Sequence, residues 1–205
     1  MKIPTIEQAN NMLQEAKIIN PGPWVAHSLN TAEAARIIAS KLPEINEDYA
    51  YILGLLHDIG RRYGVTDLRH VLDGYQYLCS QGYEDAAQIC LTHSFPLQDT
   101  GTFAGDWDCT ENEKQIISKM LQSFTYTIYD RLIQLCDCIA MPSGFCLMEI
   151  RFIDVAMRRG LNENFQERWQ AYFDLRDEFS HKLGYSIYQL LPGIVENTFH
   201  FSIQP

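Results

Sequence analysis

His57 and Asp58 stand side by side where the apolar run Leu53-Gly54-Leu55-Leu56 gives way to Ile59-Gly60-Arg61-Arg62. An imidazole and a carboxylate at the end of a buried helix are expensive to desolvate unless something compensates them, and a metal ion does so. Four further residues can bring nitrogen and oxygen ligands to the same point. His27 comes from an earlier segment, and His70, His93 and Asp137 come from later ones. Asp137 shares a helical face with Ile133 and Ala140 and is flanked by Cys136 and Cys138. A carboxylate in so apolar a stretch has to be paired, hydrogen-bonded or bound to a cation.

Each member also has a plainer reading. A lone histidine such as His27 is more often held by hydrogen bonds than by a metal. His57 at a helix C-terminus is favoured by the helix dipole, with Asp58 then exposed. His70 and His93 are ambiguous alone. The set gains weight because it takes four of the six histidines. His181 and His200 lack such neighbours, and Asp130 and Asp154 read as solvent-facing.

The elements that must position these side chains are helical almost throughout. Thr5 and Gln8 have the spacing of a capping box that opens a helix over 5–19, broken by Asn20-Pro21-Gly22-Pro23. A second helix runs over 24–41, with Leu29, Ala32, Ala35 and Ile38 at helical spacing and His27 in its first turns. Asn46 caps a third, which ends at His57-Asp58-Ile59-Gly60. Shorter helices follow over 70–81 and 84–92. Residues 94–109 lack periodicity and read as a long loop, of a length that often serves as a lid or binding loop. Helices resume over 111–121 and 125–140. Met141-Pro142-Ser143-Gly144 punctuates the chain before segments over 145–159, 163–182 and 186–191. The last third holds no member of the ligand set and reads as packing that completes the bundle or forms a homodimer face. The expected fold class is all-α.

The chain has 205 residues, enough for one domain with an ample core. A net charge of -10 argues against non-specific binding of nucleic acid but not against a small phosphorylated substrate, which needs only a local positive site. The start turns polar at once, which reads as no signal peptide, and no apolar run approaches the ~20 residues that span a bilayer. Cys79, Cys90, Cys109, Cys136, Cys138 and Cys146 form no CxxC pair and read as reduced core residues of a cytoplasmic protein.

The order His27, His57-Asp58, His70, His93, Asp137 resembles the HD-domain superfamily of metal-dependent phosphohydrolases. The segments His27–Ala35, Gly54–Arg61, His70–Leu78, Ile89–His93 and Tyr129–Asp137 match its local settings. The resemblance covers about 21–140, which would be an HD-type core, with about 145–205 as a helical extension of one domain. It implies that His27, His57, Asp58 and Asp137 hold a first metal, and that His70 and His93 hold a second with Asp58 as the bridge. Imidazoles mixed with carboxylates suit Fe, Mn, Ni, Co or Zn, and Mg fits one position.

The activity implied by the resemblance is hydrolysis of a phosphoester or phosphoanhydride bond in a nucleotide-like substrate. Two ions ~3.5–4 Å apart would activate a water and clamp the phosphoryl oxygens. A dinucleoside polyphosphate is the narrower expectation. Arg61 stands where the central motif often has lysine, and its fork suits a phosphate oxygen, with a solvated turn as the plain alternative. Phe95, Phe103 and Trp107 in the 94–109 loop could cover the site and stack a base. The rival functions are a di-iron oxygenase of the same superfamily and a catalytically silent nucleotide-binding module.

Overall fold

In the computed structural model, residues 1–64 and 66–201 are described, and ten α-helices are present among them. The last four residues of the expected extension, 202–205, lie outside the described residues. Helix α1 (Ile6–Ile19) opens on the expected capping box: Thr5 accepts from the Gln8 amide, and Gln8 reaches back to the Thr5 amide. Pro23 occupies the first turn of α2 (Pro23–Ala39), where its missing N–H costs nothing. Asn46 Oδ1 accepts from the Tyr49 amide at 2.9 Å and starts α3 (Glu47–Leu56).

Helices α4 (Arg69–Ser80), α5 (Glu84–Thr92), α6 (Glu111–Ser123) and α7 (Ile128–Asp137) follow within a few residues of the expected bounds. Two differences have physical causes. Helix α7 begins at 128 rather than 125, because Thr127 is its N-cap and Asp130 closes a capping box there. Asp130 is therefore not solvent-facing. It is 1% exposed and accepts from Thr92 Oγ1, Gln88 Nε2 and the Thr127 amide. The punctuation after α7 is a small antiparallel hairpin, β1 (Ala140–Met141) with β2 (Gly144–Phe145), in which Ala140 pairs with Phe145.

Beyond it come α8 (Met148–Arg159), α9 (Phe165–Leu183), a 3-10 turn at Ile187–Gln189 and a further helix, α10 (Ile194–Phe199). One large core joins α1, α2, α3, α5, α7 and α9 through Leu13, Ile38, Leu53, Leu55, Tyr172 and Phe179. A smaller core of Leu68, Leu72, Leu91, Phe95, Ile117 and Leu121 lies between α4, α5 and α6. Glycine permits the closest approach: a Cβ on Gly54 would stand 2.7 Å from the Ala32 Cα, so α3 lies directly against α2. No helix among the described residues is long and apolar enough to cross a membrane. All six cysteines are free thiols, five of them buried.

Candidate metal centre

Helix α3 is apolar on its buried face and stops at Leu56. Adjacent side chains diverge on a regular helix. Here Asp58 leaves the helical conformation (φ -102°, ψ 14°) and a 3-10 turn over Ile59–Tyr63 takes over. That bend lets His57 and Asp58 address one point, with His57 Nε2 3.9 Å from Asp58 Oδ2. Gly60 holds the turn against α4, since a Cβ there would lie 2.0 Å from the His70 carbonyl oxygen.

The remaining members arrive from four helices. His27 of α2 places Nε2 2.8 Å from Asp137 Oδ1 at the end of α7, and His57 Nε2 is 3.8 Å from the same oxygen. His70, in the first turn of α4, sets Nε2 3.1 Å from Asp58 Oδ1. His93, just past α5, sets Nε2 3.7 Å from that oxygen and 3.3 Å from His70 Nε2. The donors fall into two triads that share Asp58: His27, His57 and Asp58, and Asp58, His70 and His93. All six residues meet, and Asp137, partly exposed, stands at the edge of the first triad.

Backbone carbonyls orient three of the rings. His57 Nδ1 is placed to donate to Gly54 O at 2.7 Å, His93 Nδ1 to Cys90 O at 2.9 Å, and His70 Nδ1 to Asp67 O. A proton held on each Nδ1 leaves each Nε2 lone pair facing Asp58. His57 Nε2, His27 Nδ1 and Asp58 Oδ1 are buried without a hydrogen-bond partner. His57 Nε2 and Asp58 Oδ1 belong to residues of the triads, and unpartnered buried acceptors so placed fit a divalent cation.

The electrostatics agree. Burial disfavours the imidazolium and lowers His57, His70 and His93, the last to about 4. Burial opposes the charge on Asp58, but the Arg61 guanidinium and the neighbouring imidazoles outweigh it and hold the carboxyl well below the usual range. Asp137 is also held low against burial, through its hydrogen bond with His27. Neutral imidazoles beside ionised carboxylates are the protonation states that metal ligands need.

Arg61, expected on a substrate phosphate, has a closer task. Its Nε donates to Asp58 Oδ2 at 2.7 Å and its Nη1 to Thr66 O at 2.9 Å. It fixes the rotation of the carboxylate, with Oδ1 beside His70 and His93 and Oδ2 the oxygen near His57. Nη2 has no hydrogen-bond partner among the described residues, and the side chain still lines the cavity.

That cavity has a volume of about 510 Å³, and Asp58, His27, His70, His93 and Asp137 all line it. Its opposite wall corrects the reading of the last third as packing alone. Helices α8 and α9 contribute Arg151, Asp154, Arg158, Arg159, Arg168 and Trp169. Asp154 is thus a lining residue, paired with Arg151 at 3.0 Å and Arg158 at 2.7 Å. Arg151, Asp154 and Arg158 share one face of α8, a spacing visible in the sequence, but nothing local says which cavity that face meets.

The 94–109 loop splits its aromatic residues. Phe103 lines the cavity, whereas Phe95 is fully buried against Phe103 and Trp107 lies apart, with Lys114 Nζ 5.0 Å from its ring centroid. Trp24, from the start of α2, joins the lining.

The HD domain family model matches residues 24–141, more than half of the chain and the whole span from His27 to the start of the hairpin. No significant match was found among curated proteins or among solved structures. Given that match, the helical fold and the converging histidine and aspartate side chains, the chain belongs to the HD domain family, within the superfamily of metal-dependent phosphohydrolases.

Proposed function

We propose that the chain hydrolyses a phosphoester or phosphoanhydride bond in a nucleotide-like substrate, with a dinucleoside polyphosphate as the narrower candidate. The observation that carries this reading is the pair of triads sharing Asp58, with unpartnered buried atoms, set in the wall of an arginine-lined cavity. His27, His57, Asp58 and Asp137 would hold one divalent ion and Asp58, His70 and His93 a second. Fe, Mn, Ni, Co and Zn suit this ligand mixture, and Mg fits one position. Bound there, the metal supplies a water of lowered pKa and a Lewis acid for phosphoryl oxygens.

The other steps belong to side chains of the chain itself. Arg61 fixes the rotation of Asp58 and offers Nη2 to a phosphoryl oxygen whose charge grows in the transition state. The arginine-rich wall of α8 and α9 draws the phosphate toward the triads, which raises the fraction of bound substrate in reactive geometry. Trp24 and Phe103 offer faces for a base, and a cavity of about 510 Å³ lies in the range that small-molecule ligands fill.

The test is phosphate release from nucleotides and dinucleoside polyphosphates under anaerobic conditions, with Mn or Fe added. Asp58→Ala should lose both bound metal and turnover while its helical circular dichroism survives. Full activity in that variant would end the reading. Iron-dependent dioxygen consumption by the wild type, with no phosphate released, would replace it with oxygenase chemistry.

A further inference from the structure

Four of the five arginines lining the cavity are engaged with carboxylates. Arg61 binds Asp58, Arg159 binds Asp67, and Arg151 and Arg158 share Asp154. Arg168 is the exception. It lies in the first turns of α9, lines the cavity, and has no carboxylate partner among the described residues. Its Nε is shut off from solvent, and the Tyr172 hydroxyl is the polar group beside the guanidinium. The guanidinium carbon sits 5.4 Å from the Tyr172 ring centroid, and Tyr172 is fully buried, so the side chain is held rather than swinging in water. The guanidinium carries its charge with no carboxylate beside it, and an anion in the cavity supplies the counter-charge.

The surroundings favour the same ligand. The cavity sets five arginines against Asp58, Asp67, Asp137 and Asp154, a positive balance inside a chain of net charge -10. Beside Arg168, Trp169 lines the wall and stacks on Phe152 at 5.1 Å with 13° between the planes, so the backing is rigid and apolar. Both helices of this wall lie outside the residues matched by the family model, 24–141.

We propose that Arg168 anchors a second anionic subsite, which takes a non-reacting phosphate while another phosphate of the same substrate sits at the triads. The proposal rests on the hydrolase reading for what happens at the triads. It narrows the substrate class to compounds that carry two or more phosphate groups. A compound with a single phosphate leaves Arg168 unpaired.

The experiment is titration calorimetry of inorganic pyrophosphate and of inorganic phosphate into metal-free, full-length protein. Wild-type protein should bind pyrophosphate more tightly than phosphate. Arg168→Gln keeps part of the stem against Tyr172 and should weaken pyrophosphate binding ~10-fold or more, as loss of a charge-assisted contact does. Arg168→Lys, which keeps the charge, should recover much of it. Equal pyrophosphate affinity in wild type and Arg168→Gln overturns the subsite, as does a wild type with no preference for pyrophosphate. Failure of the hydrolase reading looks different: metal-loaded wild type would bind pyrophosphate in an Arg168-dependent way yet release no phosphate from any phosphorylated compound.

Discussion

Arg159 and Asp67, 92 residues apart, form a two-pronged ion pair in the cavity wall, with Nη1 2.6 Å from Oδ2 and Nη2 2.5 Å from Oδ1. Asp67 does more than pair. Its Oδ2 also accepts from the Asp106 amide at 2.9 Å, and its backbone carbonyl accepts from His70 Nδ1. One residue thus ties the end of α8, the 94–109 loop and a candidate metal ligand together. Asn162 and Asn164 add a second fastening, donating to Phe103 O at 2.8 Å and Gly101 O at 3.1 Å.

Removing the pair should therefore disturb substrate binding more than chemistry. Arg159→Ala leaves the largely buried Asp67 carboxylate short of its partner, a loss of ~1–3 kcal/mol. The melting temperature should fall by several degrees. KM for a phosphorylated substrate should rise by a larger factor than kcat falls, because loop and wall lose their mutual support. Calorimetric melts and steady-state kinetics check this. An unchanged melt with unchanged KM would make the pair incidental.

The two triads should be separable by metal content. His70→Ala and His93→Ala each strip a ligand from one triad only, and His27→Ala strips one from the other. Each should lose about half of the bound metal by elemental analysis if the centre holds two ions, whereas Asp58→Ala should lose nearly all of it. Equal and complete loss in all four variants would mean a single indivisible site.

Gly60 is a packing requirement rather than a conformational one. A Cβ would meet the His70 carbonyl oxygen at 2.0 Å and the Gly74 amide nitrogen at 2.5 Å, both backbone atoms that cannot yield singly. Gly60→Ala should push α4 away, lower stability by ~1–3 kcal/mol and reduce metal bound by His70. Gly82→Ala makes the comparison: its φ of +82° brings backbone strain, but nothing lies within 4 Å, so its metal content should stay wild-type. A Gly60→Ala protein with normal metal content and normal melting would contradict the geometry.

Acid should destabilise the metal-free protein well before carboxylates titrate. Burial lowers His93 from 6.5 to about 4, and lowers His57 and His70 as well. Between those values the unfolded chain binds protons that the folded chain refuses, so stability rises with pH across the window. It is fully present above about 6.5 and is lost as pH falls toward 4. Urea midpoints of metal-free protein should differ between neutral and mildly acidic buffer, the lower in acid. Identical midpoints would indicate imidazoles that are more hydrated than this structure places them.

Much of the centre could be read from the residues themselves. Histidines at buried helix ends and Asp137 in an apolar helix are local contradictions that only a common partner resolves, and each shows in a window of a few residues. Helix order was equally legible, because capping boxes and proline breaks act within one turn. Asp130 shows where that reading stopped short. Its spacing from Thr127 carries a capping signal, yet its burial depends on Thr92 and Gln88, brought in by α5.

Side-chain chemistry and short-range periodicity are enough to say which groups have to be neutralised together and that helices carry them. What faces them is set by packing between distant parts of the chain. Arg151, Arg158, Arg159 and Arg168 line the cavity because α8 and α9 fold back over the core, and Asp67 meets Arg159 across 92 residues. Charges on an amphipathic helix look alike whether they meet water or a cavity. Long-range packing makes that choice, and no local spacing records it.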